Sequence, residues 1–168
     1  LKFIKDAGIK LKNEIRIILG TDEETGWRGI GHYLQNFPMP DLGFAPDASF
    51  PLIYGEKGRM SFDLTSNTFD SDDILVSITG GERYNVVLEE VEAVVKTDLT
   101  KEFKSYAESN NLVYSVSLCD GLYKLILKGK AAHAMEPHKG INAGTHMCNF
   151  LKDYSNNKMV HYVVDKHH

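Results

Sequence analysis

Cysteine is scarce in this 168-residue chain, which has only Cys119 and Cys148. Two thiols can form at most one bridge, and neither sits in a Cys-x-x-Cys or Cys/His ligand spacing, so no disulfide framework is expected and both read as buried thiols. Long apolar runs are missing too. None approaches the roughly 20 residues needed to cross a bilayer, and no basic, apolar, small-residue signal opens the chain, so the expectation is a cytoplasmic protein without a membrane partner. Basic charge is not concentrated either: the formal net charge is -4 and the lysines are scattered, without the stripe that nucleic acid binding requires. Nucleic acid is therefore not an expected partner. What is present, 42% hydrophobic and 25% charged residues, is the composition of an ordinary globular protein with room for one domain or two small ones.

Both ends read as cuts, and an internal fragment of a longer protein is the expectation. Leu1, Ile4, Ala7 and Leu11 recur at helical spacing with no capping residue ahead of them, and residues 160–168 stop in or just after an apolar segment. The closing pair, His167 and His168, reads as native or as a tag remnant. Residues 14–19 form a nearly continuous aliphatic run, as expected of a strand covered on both faces of a parallel sheet, and Gly20 ends it. A second helix follows, with Trp27, Ile30, Leu34 and Phe37 on one face and Pro38 and Pro40 as its stop. Short extended pieces are expected near 42–45 and 52–54. This stretch reads as part of an α/β domain.

From about Gly58 the texture changes, as Met60, Phe62 and Leu64 alternate with polar residues and a Ser/Asn/Asp-rich loop covers 66–73. A boundary near Lys57 gives two domains, 1–57 and 58–168. The second is expected to hold a strand at 74–78, an alternating strand through Val91, Ala93 and Val95, and a helix near 100–109 buried through Phe103 and Ala107. Leu112, Tyr114, Val116 and Leu118 then alternate into Asp120-Gly121, a strong hairpin signal, with a partner strand at 122–128 and a last helix near 141–154. Strand, helix, two strands and a helix make most of a split βαβ unit, an α+β, ferredoxin-like sheet with its helices on one side.

Four segments carry chemistry. In Gly20-Thr21-Asp22-Glu23-Glu24-Thr25-Gly26, three adjacent acids repel one another unless a cation or solvent relieves them. They either answer a divalent metal or decorate the first turn of the following helix, where the macrodipole favours carboxylates. In Ala45-Pro46-Asp47-Ala48-Ser49-Phe50-Pro51 two prolines frame an acid and restrict its orientation, which taken alone is a structural turn. Gly129-Lys130-Ala131-Ala132-His133-Ala134-Met135-Glu136-Pro137 sets a histidine among small residues, on its own an exposed loop histidine. Gly80-Gly81-Glu82-Arg83-Tyr84-Asn85 is weaker and by itself reads as a turn.

Together these segments resemble a known group. The first two are similar to the Gly-Thr-Asp-Glu-Glu-Thr/Ser-Gly and Ala-Pro-Asp-x-x-Phe-Pro signatures of the clan MH di-zinc metallopeptidases, of the aminoacylase/carboxypeptidase type. The branch they resemble holds PepV-like bacterial Xaa-His dipeptidases and carnosinases. The third is similar to the Gly-x-x-x-His-x-x-x-Pro stretch in that family's lid domain. Residues 1–57 resemble part of the catalytic domain and 58–168 part of the lid, which in relatives often carries dimer contacts.

The resemblance implies a role for each residue that matches it. Glu23 is expected as the general base that takes a proton from a metal-bridging water, with Glu24 a terminal ligand to one metal and Asp47 to the other. His133 is expected to bind the developing oxyanion and Asn85 to help hold substrate. The implied cofactors are two Zn2+ per complete site, with Mn2+ or Co2+ acceptable to the same ligands. The implied partner is a dipeptide or small peptide, and pairing of the lid sheet would make a homo-oligomer.

Two alternatives stay open: an N-acyl amino acid amidohydrolase, and a non-catalytic lid-like binding or assembly module. The family's His-x-Asp motif and bridging aspartate are not found before Glu23, and no later histidine stands in the context of the last metal ligand. Of the implied ligand set only Glu24 and Asp47 are in this sequence, so the 168 residues alone are expected to be inactive.

Overall fold

The helical spacing of Leu1, Ile4, Ala7 and Leu11 produces a shorter helix than expected, α1, Lys2–Asp6. Gly8 takes φ +63°, a left-handed conformation that ends it before Leu11 is reached. The computed structural model describes residues 1–24, 26–47, 51–58, 60, 61, 63, 65 and 72–166. The chain divides into two compact units, Leu1–Lys57 and Gly58–His168. Expectations for Thr25, Phe62, Leu64, His167 and His168, and for 48–50 and 66–71, fall outside the described residues.

In the first unit the strand expected at 14–19 is not formed. A strand needs a neighbour to receive its N–H and C=O groups, and none of the unit's described residues is in a strand. Ile15, Ile17 and Leu19 are exposed, and the extended pieces expected near 42–45 and 52–54 are not strands either. The second helix does form, as α2, Arg28–Asn36. Phe37 behind it is extended (φ -133°, ψ 151°), the conformation that a following proline imposes. Tyr33 stacks on Phe37 at 5.2 Å between ring centroids, and the Arg16 guanidinium donates to the Tyr33 hydroxyl at 2.8 Å and to Glu14 at 3.0 Å.

The second unit follows its alternation. Its elements are β1 (Leu75–Gly80), β2 (Glu90–Val95), α3 (Thr100–Ser109), β3 (Val113–Cys119), β4 (Leu122–Lys128), α4 (Ala143–Leu151) and α5 (Lys158–Lys166). The helices accompany a four-stranded antiparallel sheet in the order β1-β2-β4-β3, so the chain is α/β in class, as expected. β4 pairs antiparallel with both β2 and β3, which leaves β2 and β3 parallel with β4 between them, the split βαβ arrangement. Asp120 (φ 51°) and Gly121 (φ 78°) are both left-handed, which matches the twist of the strands they join.

The period of two sends Val91, Ala93, Val95, Leu125 and Leu127 into the core against Phe103, Ala107, Met147, Phe150 and Leu151. Phe103 meets Phe150 edge-on at 5.1 Å, and burying each such side chain contributes about 1.5–3 kcal/mol. The opposite face of the sheet carries ion pairs, with Lys128 2.7 Å from Glu90 and Lys124 3.1 Å from Glu92.

Three details depart from expectation. α4 starts at Ala143 because Ile141 is taken up in a bridge with Lys130, and the Asn142 side chain caps the helix by accepting from Gly144 (2.9 Å) and Thr145 (3.2 Å). α5, unassigned from sequence, buries Val160 and Val164. Cys148 is buried and its thiol is pushed up to about 11 by that burial, but Cys119, expected to be buried, is exposed. It shares the parity of Ser115 and Ser117, the side of β3 that faces away from the core.

The start of β1 is pinned by a buried carboxylate. Asp73 accepts from the Leu75 N–H at 2.8 Å and from the Asn156 N–H at 2.7 Å, tying the sheet to the link between α4 and α5. Burial pushes this carboxyl up, but the hydrogen bonds from Leu75, Ser155 and Asn156 outweigh it and hold it below its usual range. Among the described residues no helix is long and apolar enough to cross a membrane.

Candidate functional site

The acidic segment of the first unit forms a turn rather than a helix start. The Asp22 carbonyl accepts from Gly26 N–H at 3.1 Å and from Trp27 N–H at 2.8 Å, with Asp22 itself left-handed at φ 67°. α2 begins only at Arg28 and has no acidic residue in its first turn, so decoration of a helix N-terminus does not account for the three acids. Their repulsion is relieved in part by Arg28, whose Nε donates to the Asp22 carboxylate at 2.5 Å. That guanidinium hydrogen bond holds the Asp22 carboxyl below its ordinary range, with the opposite charge adding to it. Glu23 and Glu24 lie exposed on the same turn. Asp47 is exposed after Pro46, and the remainder of its motif, 48–50, lies outside the described residues.

In the second unit two candidates far apart in sequence are brought together. Beyond the last β2–β4 pair the two chains continue side by side: Gly129 N–H donates to Glu89 O at 2.7 Å, Val87 N–H to Ala132 O at 2.8 Å, and Ala134 N–H to Asn85 O at 2.8 Å. Val86 and His133 form an antiparallel bridge between these contacts. His133 is thus opposite Val86, and Asn85 opposite Ala134, so Asn85 and His133 sit on neighbouring segments at one end of the sheet, one register position apart. His133 is exposed, and its Nδ1 accepts the Met135 N–H at 3.1 Å. A neutral imidazole whose Nδ1 accepts carries its proton on Nε2, the donor an oxyanion site would use.

Two hollows lie elsewhere in this unit. A groove of about 780 Å³ runs between α3 and α4 past Tyr106, His146, Phe150 and Tyr154, and it holds none of the sequence candidates. On its floor Tyr106 Oη lies 3.3 Å from His146 Nδ1, and burial lowers the His146 imidazole and raises the Tyr106 hydroxyl. A smaller one, about 390 Å³, is lined by Ile78, Leu88, Val91, Asn142 and Cys148. It adjoins the same strand extension, since Ala143 N–H donates to Leu88 O at 2.7 Å.

Among the described residues no three His, Cys, Asp or Glu side chains gather so as to hold a metal ion. Glu24 and Asp47 therefore belong to no such group among the described residues. Sequence reasoning missed the Asp22–Arg28 pair, for which the six-residue spacing within a turn gave no helical or strand signal. It also missed the pairing of the Asn85 and His133 segments, which depends on a contact between distant parts of the chain.

No family model matches the chain. Curated relatives do. Three proteins of Staphylococcus aureus, from strains bovine RF122 / ET3-1, USA300 and MRSA252, are each named "Putative dipeptidase" and are 40%, 40% and 39% identical to it over 161 residues. The match covers 90% of this chain and 34% of each relative, so the chain spans about a third of the length of the curated relatives it matches. Over most of its length, the sequence is thus similar to one stretch of proteins that carry a peptidase name.

Proposed function

We propose that this sequence is a working segment of a longer metal-dependent dipeptidase, a hydrolase of the clan MH, PepV-like kind. The observation that carries the reading is the 40% identity across 90% of the chain to proteins named as dipeptidases. The turn that lifts Glu23 and Glu24 clear of α2, and the pairing of the segment through Asn85 with the segment through His133, are compatible with it. On this reading 1–57 belongs to a catalytic domain and 58–168 to a lid.

Within the proposed reaction, Glu23 accepts a proton from the attacking water and returns it to the leaving amine. His133 donates its Nε2–H to the oxygen that gains charge as the peptide carbon becomes tetrahedral. Asn85 helps to orient the dipeptide. Two Zn2+, or Mn2+ or Co2+ in their place, would acidify the water and polarise the carbonyl, with Glu24 and Asp47 as this segment's ligands. On this reading the remaining ligands, the family's His-x-Asp motif and bridging aspartate among them, would be supplied by the longer protein.

The test is to assay a full-length protein carrying this sequence on a panel of dipeptides and N-acyl amino acids. Hydrolysis of dipeptides is expected. Turnover of N-acyl amino acids alone would move the substrate class, and no turnover of either would overturn the reading in favour of a non-catalytic assembly module.

A further inference from the structure

His133 lies in a loop whose base is shut. Lys130 and Ile141 exchange reciprocal N–H···O bonds, each of 2.9 Å, so the ends of the loop lie side by side. Two glycines permit this closeness. A Cβ on Gly129 would collide with the Ile141 carbonyl oxygen, and one on Gly140 would stand 2.8 Å from Lys130 O, 2.9 Å from Ala132 Cβ and 3.0 Å from Val87 Cγ1. Inside the loop the chain folds back on itself. The His133 carbonyl accepts from Glu136 N–H at 2.8 Å, the Pro137–Lys139 turn follows, and Lys139 closes on Glu136 at 2.6 Å. On its outer side the loop is bonded to residues 85 and 87. The imidazole therefore stands on a braced platform, and one backbone donor, the Met135 N–H, meets its Nδ1 at 3.1 Å.

We infer that this closed loop is a positioning device which holds His133 as the Nε2–H tautomer, with the Met135 N–H as the locking donor and Gly129 and Gly140 as the residues that let the loop shut. The inference rests on the proposed oxyanion role of His133 for its consequence, but not for its structural content. A free neutral imidazole exchanges between two tautomers, and only one of them presents Nε2–H. A backbone donor aimed at Nδ1 removes the other, because two N–H groups cannot share that position. Preorganised donors stabilise developing charge without reorganising during the reaction, so the lock would act on turnover rather than on substrate affinity.

The first measurement is the long-range ¹H–¹⁵N correlation spectrum of the histidine-labelled 168-residue chain with the rings neutral. The expected result is a pyridine-type Nδ1 and a pyrrole-type Nε2 for His133, with no Nδ1–H population. Met135→Pro, which deletes the donor, should restore the mixture of a free imidazole. A mixture in the unmodified chain, or an unchanged spectrum in the variant, overturns the lock.

In the full-length protein, Met135→Pro and Gly140→Ala are expected to lower kcat on the order of 10- to 100-fold with KM nearly unchanged, the scale of a displacement near 1 Å. Melting curves of both variants check that they fold. If Met135→Pro does not fold, Gly140→Ala and the unmodified spectrum still decide. A single tautomer with kcat intact in both variants overturns the positioning role. His133→Ala keeps the two readings separate: intact turnover there removes the oxyanion assignment, while the spectrum continues to judge the lock.

Discussion

Replacing Asp73 by alanine removes a carboxylate that serves both the first residue of β1 and the turn after α4. Its oxygens accept from Leu75 at 2.8 Å and from Asn156 at 2.7 Å. Hydrogen bonds to a charged group contribute ~1.5–3 kcal/mol each, and a buried donor left without a partner costs ~1–3 kcal/mol. Asn156 is exposed and water can take over its N–H, whereas Leu75 and Ser155, whose hydroxyl also bonds the carboxylate, are 2% and 3% exposed and gain no such substitute. The expected loss is therefore roughly 2–3 kcal/mol, less than two full charged bonds.

At about 4 °C per kcal/mol for a domain of this size, the melting temperature should fall by about 8–12 °C. The pH dependence has a definite sign. The folded carboxyl lies below its unfolded value, so the contribution is complete above the unfolded pKa of about 3.9 and is lost as pH falls below it through the folded value. Circular dichroism melts of the chain and of Asp73→Ala near neutrality and near pH 3 should show a gap that narrows in acid. A variant that melts with the unmodified chain at neutral pH, or a gap that widens in acid, would refute the reasoning.

Phe103→Ala should cost about 3–5 kcal/mol in urea unfolding, because the ring is fully buried against Phe150 and Tyr114 and its removal leaves a cavity. Asn142→Ala should cost about 1 kcal/mol by the same assay, since it uncaps the Gly144 and Thr145 N–H groups of α4. The 168-residue chain with excess Zn2+ or Mn2+ should show no dipeptidase turnover and no tight uptake of two ions by calorimetry. Each zinc needs about four ligands, and Glu24 and Asp47 are too few; two tight sites would contradict the ligand assignment.

The second unit was legible where one face of an element is polar and the other apolar. Glu90 and Glu92 against Val91 and Ala93, or Ser115 and Ser117 against Tyr114 and Val116, mark both the strand and its core side. Residues 14–19 set Glu14 and Arg16 against Ile15 and Ile17, but such a run specifies a strand only when a neighbour is there to pair with it. The start of α4 was misplaced for a related reason: Ile141 fits the helical spacing, but its backbone is claimed by Lys130 across a closed loop. Of the candidate site, the run Asp22-Glu23-Glu24 stood out by type, whereas Asp47, Asn85 and His133 each read alone as structural or exposed, and all the proposed roles came from resemblance. The Asp22–Arg28 pair, the Asp73 pin and the pairing of the Asn85 and His133 segments are contacts of side chains or backbone segments that no local period encodes.

The claim that matters most is that Glu23 is the base of a dipeptidase, and one substitution addresses it. Glu23→Gln in the full-length protein keeps the size and hydrogen-bonding capacity of the side chain but cannot accept a proton at working pH. Turnover of a dipeptide substrate, measured alongside bound metal, should fall ~10²- to 10⁴-fold while metal content stays near that of the unmodified protein. Turnover close to that of the unmodified protein would contradict the account.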